Sequence, residues 1–291
     1  MDAIIQLFFS GLSVGAIYAL IALGFVTIYN VTGVLNFAQG EFAMVAALSM
    51  VSLTKMGLNF LPAFVISVLV ATLLGAALER FAVHPARGAK AELTLIMITL
   101  GADIVIRGVG LLIWDSEPKV LPPFSPGDPV SFLGAQIQRQ SFWIISVSLV
   151  MVFLMYLFFN RSLLGKALRA CSMNRIASRL MGIRPERMSL LAFSLSAGMT
   201  GIAGITIAPV TLATYDMGLM LGVKGFVAAV LGGLTNPTAA IAGGFLLGVI
   251  ESEGSGLFAS GYKDAISFGV LILVLFFKPN GLLGMLSSKR V

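Results

Sequence analysis

AIIQLFFSGLSVGAIYALIALGFVTIYNVTGVLNFAQG, residues 3 to 40, carries no charged side chain. A helix crosses the apolar part of a bilayer in about 20 residues, so this one stretch already sets the solvent in which the chain folds. Uncharged runs recur at 56–78, 142–160, 188–215, 225–250 and 265–277. They are long and uniformly apolar, as in membrane helices, and lack the short alternation of barrel strands. Over all 291 residues, 58% are hydrophobic and 11% charged, outside the usual range of water-soluble domains. The first run has no basic leader and stays apolar too long for a signal segment, so it is expected to be retained as the first span.

The charge balance is +6, from 19 Lys and Arg against 13 Asp and Glu. In a membrane chain such an excess marks cytoplasmic loops, and no nucleic-acid partner is expected. Three segments hold most of it: Arg80, Arg87 and Lys90; Arg161, Lys166, Arg169, Arg175, Arg179, Arg184 and Arg187; and Lys278, Lys289 and Arg290. The intervening connections are mixed or acidic, with Asp115, Glu117, Lys119, Asp128 and Arg139 in one and Glu251, Glu253, Lys263 and Asp264 in another. The basic set is placed in the cytoplasm and the other outside. Cys171 is the single cysteine and His84 the single histidine, so no internal disulfide and no His-rich metal cluster is expected.

Under that constraint, helices are predicted near 7–29, 41–54, 62–82, 93–114, 142–160 and 188–209, with a last one at about 263–277. The stretch 222–252 is too long for one crossing and is interrupted at Gly232, Gly233, Asn236 and Pro237, so it reads as two helices meeting at a break. The expected fold is an all-α polytopic transmembrane bundle of eight or nine membrane segments, with the amino terminus outside. Residues 115–141 hold Pro118, Pro122, Pro123, Pro126, Gly127 and Pro129 and are expected to form an external loop. A second break, at Asn36 to Glu41, echoes the one at Gly232 to Pro237, and paired broken helices are common in transporters.

Between 161 and 187, Met173, Ile176, Ala177, Leu180 and Met181 follow the spacing of one helical face, with Arg175 and Arg179 on another. Gly182 suits the C-terminal cap, and Pro185 stops the helix from running on. Either anionic lipid or a protein partner suits such a helix. Asn36, Gln39 and Glu41 cluster at the first break, where they are candidates for the pathway or its gate; an interhelical hydrogen-bond clamp and a cytoplasmic cap are the alternatives. Asp103 and Arg107, spaced i, i+4, read as a structural ion pair. Lys224 and Asp264 are placed near outer helix ends, where snorkelling is the ordinary explanation and the mouth of the pathway the other. The spacings Gly11 to Gly15 and Gly201 to Gly204 allow close helix approach.

The string RACSMNRIASRLMGIRPERMSLLAFSLSAGMTGIAG, from Arg169 to Gly204, resembles the cytoplasmic coupling loop and following helix of permeases in branched-chain amino acid ABC importers. NFAQGE at 36–41, GVKGFVAAVLGGL at 222–234, YKD at 262–264 and KPNGLLG at 278–284 agree, so the resemblance extends over nearly the whole chain. Some relatives start the coupling helix with more acidic residues, where this chain has Ser172, Met173 and Asn174. The resemblance implies a single permease domain over 1–291, with the coupling loop at 161–187. It also implies that Met173, Asn174, Ile176, Ala177, Leu180, Met181 and Gly182 dock on an ATPase. The implied partners are a second permease subunit, usually a different polypeptide, two ABC ATPases and a periplasmic binding protein, all at the inner membrane. No glycine-rich phosphate loop ending in Lys and Ser or Thr occurs, so the chain is not expected to be an enzyme or to carry a cofactor. The alternative is an ion-coupled secondary transporter or channel, which needs buried ionisable groups.

Overall fold

In the computed structural model, residues 2–86, 92–132, 135–257, 260–278 and 281–282 are described. With no charge to interrupt it, the first apolar run forms one helix, α1 (Asp2–Thr32), of 31 residues. At 1.5 Å per residue it is about 46 Å long. It ends where Thr32 donates its hydroxyl to the Ile28 carbonyl at 2.7 Å and Gly33 takes a φ of +71°. A 3-10 turn, Phe37–Gln39, leads into α2 (Glu41–Lys55). Next comes α3 (Phe60–Ala77), which continues through a π-helical stretch, Leu78–Val83, into a short turn, α4 (His84–Ala86). The chain then forms α5 (Glu92–Trp114), the hairpin β1 (Val130–Phe132) and β2 (Ala135–Ile137), and α6 (Arg139–Arg161). After α6 come α7 (Leu163–Met173), α8 (Arg175–Leu180) and α9 (Pro185–Thr211). The last part comprises α10 (Met217–Gly232), α11 (Pro237–Leu257), a 3-10 turn at Ser260–Tyr262 and α12 (Lys263–Phe277).

α1 and α9 are largely enclosed by other helices, whereas α3, α5 and α6 leave most of their apolar side chains on the outside. In water that outer surface would be untenable; against lipid chains it costs nothing. The centre is built by glycines. A Cβ at Gly11 would meet the backbone of Gly248 and Val249, and one at Gly15 that of Gly244 and Phe245, so α1 and α11 pack with their backbones in near contact. Gly201 and Gly204 bring α9 against Ala46, Ala71 and Ala43 in the same way.

Three expectations are corrected. The predicted count of eight or nine membrane segments becomes, among the described residues, six helices long and apolar enough to cross, plus one bent pair, α10 and α11, which meet at 119°. The last predicted span, α12, has 15 residues and reaches only about 22 Å, short of a bilayer core of about 30 Å. The bend arises at Gly233, with a φ of +124°, and is fixed by Asn236, whose Oδ1 accepts from the Thr238 hydroxyl at 2.8 Å and the Thr238 amide at 3.1 Å. The class is helical, but the expected external loop also contains a hairpin, with Ser131 opposite Gln136, and is pinned to the end of α9 by two hydrogen bonds between Lys119 and Ala213. Arg87, Lys90, Lys289 and Arg290, and residues 279–280 and 283–284 of the KPNGLLG stretch, lie outside the described residues.

Candidate functional site

Two clusters of polar side chains lie inside the bundle, and both pack along α10. The first is the break before α2. Asn36, Gln39 and Glu41 are all buried. Gln39 donates through Nε2 to the hydroxyls of Ser196, at 2.7 Å, and Thr200, at 2.6 Å, tying the break to α9. Asn36 Nδ2 donates in turn to Gln39 Oε1 at 3.3 Å. Gly24 supplies the space, because a Cβ there would collide with the Gln39 amide. Gly40 sits so close to Gly218 and Gly222 that neither chain could carry a side chain at the crossing. The break is thereby pressed onto the first turns of α10, with the Glu41 carboxylate directly over Gly218.

The neighbour of the buried Glu41 carboxyl is another carboxyl, that of Asp103, with Arg107 also in range. Asp103 and Arg107 stand at 3.9 Å in the i, i+4 geometry expected of them. They are not an isolated pair, since the Glu41 carboxyl stands beside that of Asp103, and the sequence offered no signal that residues 41 and 103 would meet.

The second cluster centres on Lys224. Its Nζ lies 2.8 Å from Glu251 Oε1 and 2.8 Å from Asp264 Oδ1, and 6.0 Å from the centre of the Tyr18 ring. Glu251 is fixed from two further sides, by the Tyr18 hydroxyl at 3.1 Å and the Ser267 hydroxyl at 2.9 Å. The snorkelling expected of Lys224 and Asp264 is therefore corrected for the lysine, whose side chain is 12% exposed and held inward by Glu251. Sequence reasoning brought Lys224 and Asp264 together only as mouth candidates and missed Tyr18, Glu251 and Ser267. Glu251 was assigned to an outer connection because charge resumes there, but α11 continues to Leu257.

The segment after α6 also departs from expectation. One amphipathic helix was predicted through Met173 to Met181; instead Met173 ends α7 and Asn174 starts α8. The reason is local: Asn174, in extended conformation, accepts from the Ala177 amide through its side chain at 2.9 Å, an N-cap that outcompetes continuation of the helix. At the other end Gly182 takes a φ of +83°, and the amides of Gly182 and Ile183 bond to the carbonyls of Arg179 and Ser178, closing α8 with a left-handed cap. Ala177 is exposed, and Met173, Ile176, Leu180 and Met181 are each between 76% and 84% exposed. Ile176 and Leu180 on this small capped helix, with Met173 just before it and Met181 just after, are thus four large apolar side chains that no described residue covers. Among the described residues no group of three or more His, Cys, Asp or Glu is placed to hold a metal ion.

Comparison with known proteins agrees with this architecture. The "High-affinity branched-chain amino acid transport system permease protein BraD" of Pseudomonas aeruginosa is 35% identical over 99% of this chain and 98% of its own. The corresponding LivH protein of Escherichia coli is 32% identical over 99% of this chain and 97% of its own. E. coli LivM, also a permease protein by name, is 32% identical over 56% of this chain and 36% of its own. Among solved structures, PsaBC from Streptococcus pneumoniae, in complex with Fab, has a similar fold, with a TM-score of 0.51 over 93% of this chain and 91% of that one at 13% identity. Residues 7–275 match the family described as branched-chain amino acid transport system, permease component, and the chain belongs to that family.

Proposed function

We propose that this chain is one of two permease subunits of an ATP-driven importer of the bacterial inner membrane, moving branched-chain amino acids or closely related small solutes into the cytoplasm. The observation that carries the proposal is the exposure of four large apolar side chains on and beside the capped helix α8, those of Met173, Ile176, Leu180 and Met181. The chain has no phosphate-binding motif, so in this reading its energy comes from another polypeptide, and an apolar helix face of this kind fits a groove on such a partner. Closure of an ATPase dimer would pull on α8 and, through α7 and α9, shift the membrane helices between two openings. The partial likeness to LivM supports a second, related permease as the neighbour in the membrane. A periplasmic binding protein would deliver the solute.

The buried groups Glu41, Asp103, Lys224 and Glu251 favour a second reading, transport coupled to an ion gradient, because ionisable side chains inside a bundle are otherwise costly. One experiment separates the two. The chain is expressed with its genomic neighbours, purified in mild detergent and analysed by mass spectrometry. Co-purification of nucleotide-binding ATPases and a second permease is the expected result; a chain that purifies alone and still moves solute supports gradient coupling instead.

A further inference from the structure

Lys224 holds two carboxylates in unequal ways. Glu251 is 5% exposed and is bound by the Tyr18 and Ser267 hydroxyls as well as by the ammonium, so it is a fixed counter-charge. Asp264 is 49% exposed, and its carboxylate meets the Lys224 ammonium at 2.8 Å. It sits in the first turn of α12, the short helix that closes this side of the bundle against α10 and α11. The Asp264 side chain is half exposed, so it leaves the ammonium at smaller cost than Glu251 does. Glu251 cannot leave without stranding a charge among apolar groups.

We propose that Lys224 is a carboxylate-exchange subsite on the transport path, in which Asp264 occupies the place that the carboxylate of a permeating α-amino acid takes during transport. The geometry gives the exchange its direction. An incoming carboxylate displaces the half-exposed partner, while Glu251 and the Tyr18 ring keep the ammonium in position. The Lys224 ammonium keeps two carboxylate partners throughout, because one carboxylate replaces another, and the α-ammonium of the zwitterion enters with its own. The subsite lies where the two arms of the bent pair α10 and α11 face each other, and discontinuous helices of this kind commonly form solute sites in transporters. It selects for solutes that bear a carboxylate, and uncharged amides or urea gain nothing from it. This inference rests on the permease reading above and names a specificity-determining residue within it.

The test uses the full complex, with both permeases and ATPases, in proteoliposomes supplied with the binding protein and radiolabelled leucine; uptake and ATP hydrolysis are measured on the same vesicles. Lys224→Met alone strands Glu251, so the double variant Lys224→Met/Glu251→Gln, which removes both buried charges, is made beside it. In the double variant, assembly and stimulation of ATP hydrolysis by the loaded binding protein should stay within twofold of wild type, while leucine moved per ATP falls at least tenfold. Asp264→Asn should keep at least half of the wild-type uptake per ATP, since it removes only the placeholder. Wild-type uptake by the double variant would overturn the proposal. So would a loss in Asp264→Asn as deep as in Lys224→Met, because that pattern belongs to a latch between α10 and α12. Failure of the wild-type chain to assemble with ATPases would instead refute the permease reading, whatever the variants do.

Discussion

Gln39 shows how much of the first break depends on one side chain. Its amide is the donor that two hydroxyls on α9 accept, at 2.7 Å and 2.6 Å, in a site without access to solvent. Gln39→Leu keeps the volume but leaves both hydroxyls without that donor, and should destabilise the folded chain by about 1–3 kcal/mol. Reversible unfolding in mixed micelles reads the change. Gly24→Ala places a methyl group where the Gln39 amide lies and should cost a similar amount, of about 1–3 kcal/mol, by pushing that amide off its partners. The two losses share one cause, so the double variant should fall short of their sum. Full additivity would mean that Gly24 serves only the packing of α1.

At the scale of elements, α8 and the α1–α11 pair carry opposite predictions. Ile176 is 76% exposed, so Ile176→Glu should leave insertion and thermal stability unchanged while it abolishes coupled uptake. Normal uptake by that variant would remove α8 from the coupling role. Gly248 faces Gly11 and Gly15 across a backbone-to-backbone contact, and Gly248→Leu has no room to relax. It should lower the yield of folded protein severely, seen as loss of the monodisperse peak in size-exclusion chromatography. The helices themselves were legible because a run without charge leaves little choice in a bilayer. The division between α7 and α8 was less so: the apolar spacing passes straight through Asn174, and only the side-chain cap to Ala177 shows that the backbone turns there. Proline and glycine at 115–141 read as a loop and concealed a hairpin whose strands are only 3 residues each.

For the whole molecule, family and class were present in the order of several separated motifs, whereas the internal polar clusters were not. Lys224 meets Glu251 at a separation of 27 residues across a bend, and Tyr18 meets Glu251 at a separation of 233, contacts that no periodicity encodes. Composition likewise overstated the number of crossings, since α12 is apolar enough but too short. The architecture that results is a permease with an enclosed glycine-packed centre, a lipid-facing outside and one uncovered apolar helix. No Walker-type phosphate loop occurs in its sequence, and the importer proposed above draws its energy from a partner that carries one. The measurement that tests this most directly is leucine uptake into proteoliposomes holding the co-purified complex, with either wild-type ATPases or ATPases whose phosphate-loop lysine is replaced. Uptake that requires ATP and disappears with the disabled ATPases is the predicted result; uptake that persists with them, driven by an imposed proton or sodium gradient, would contradict the account.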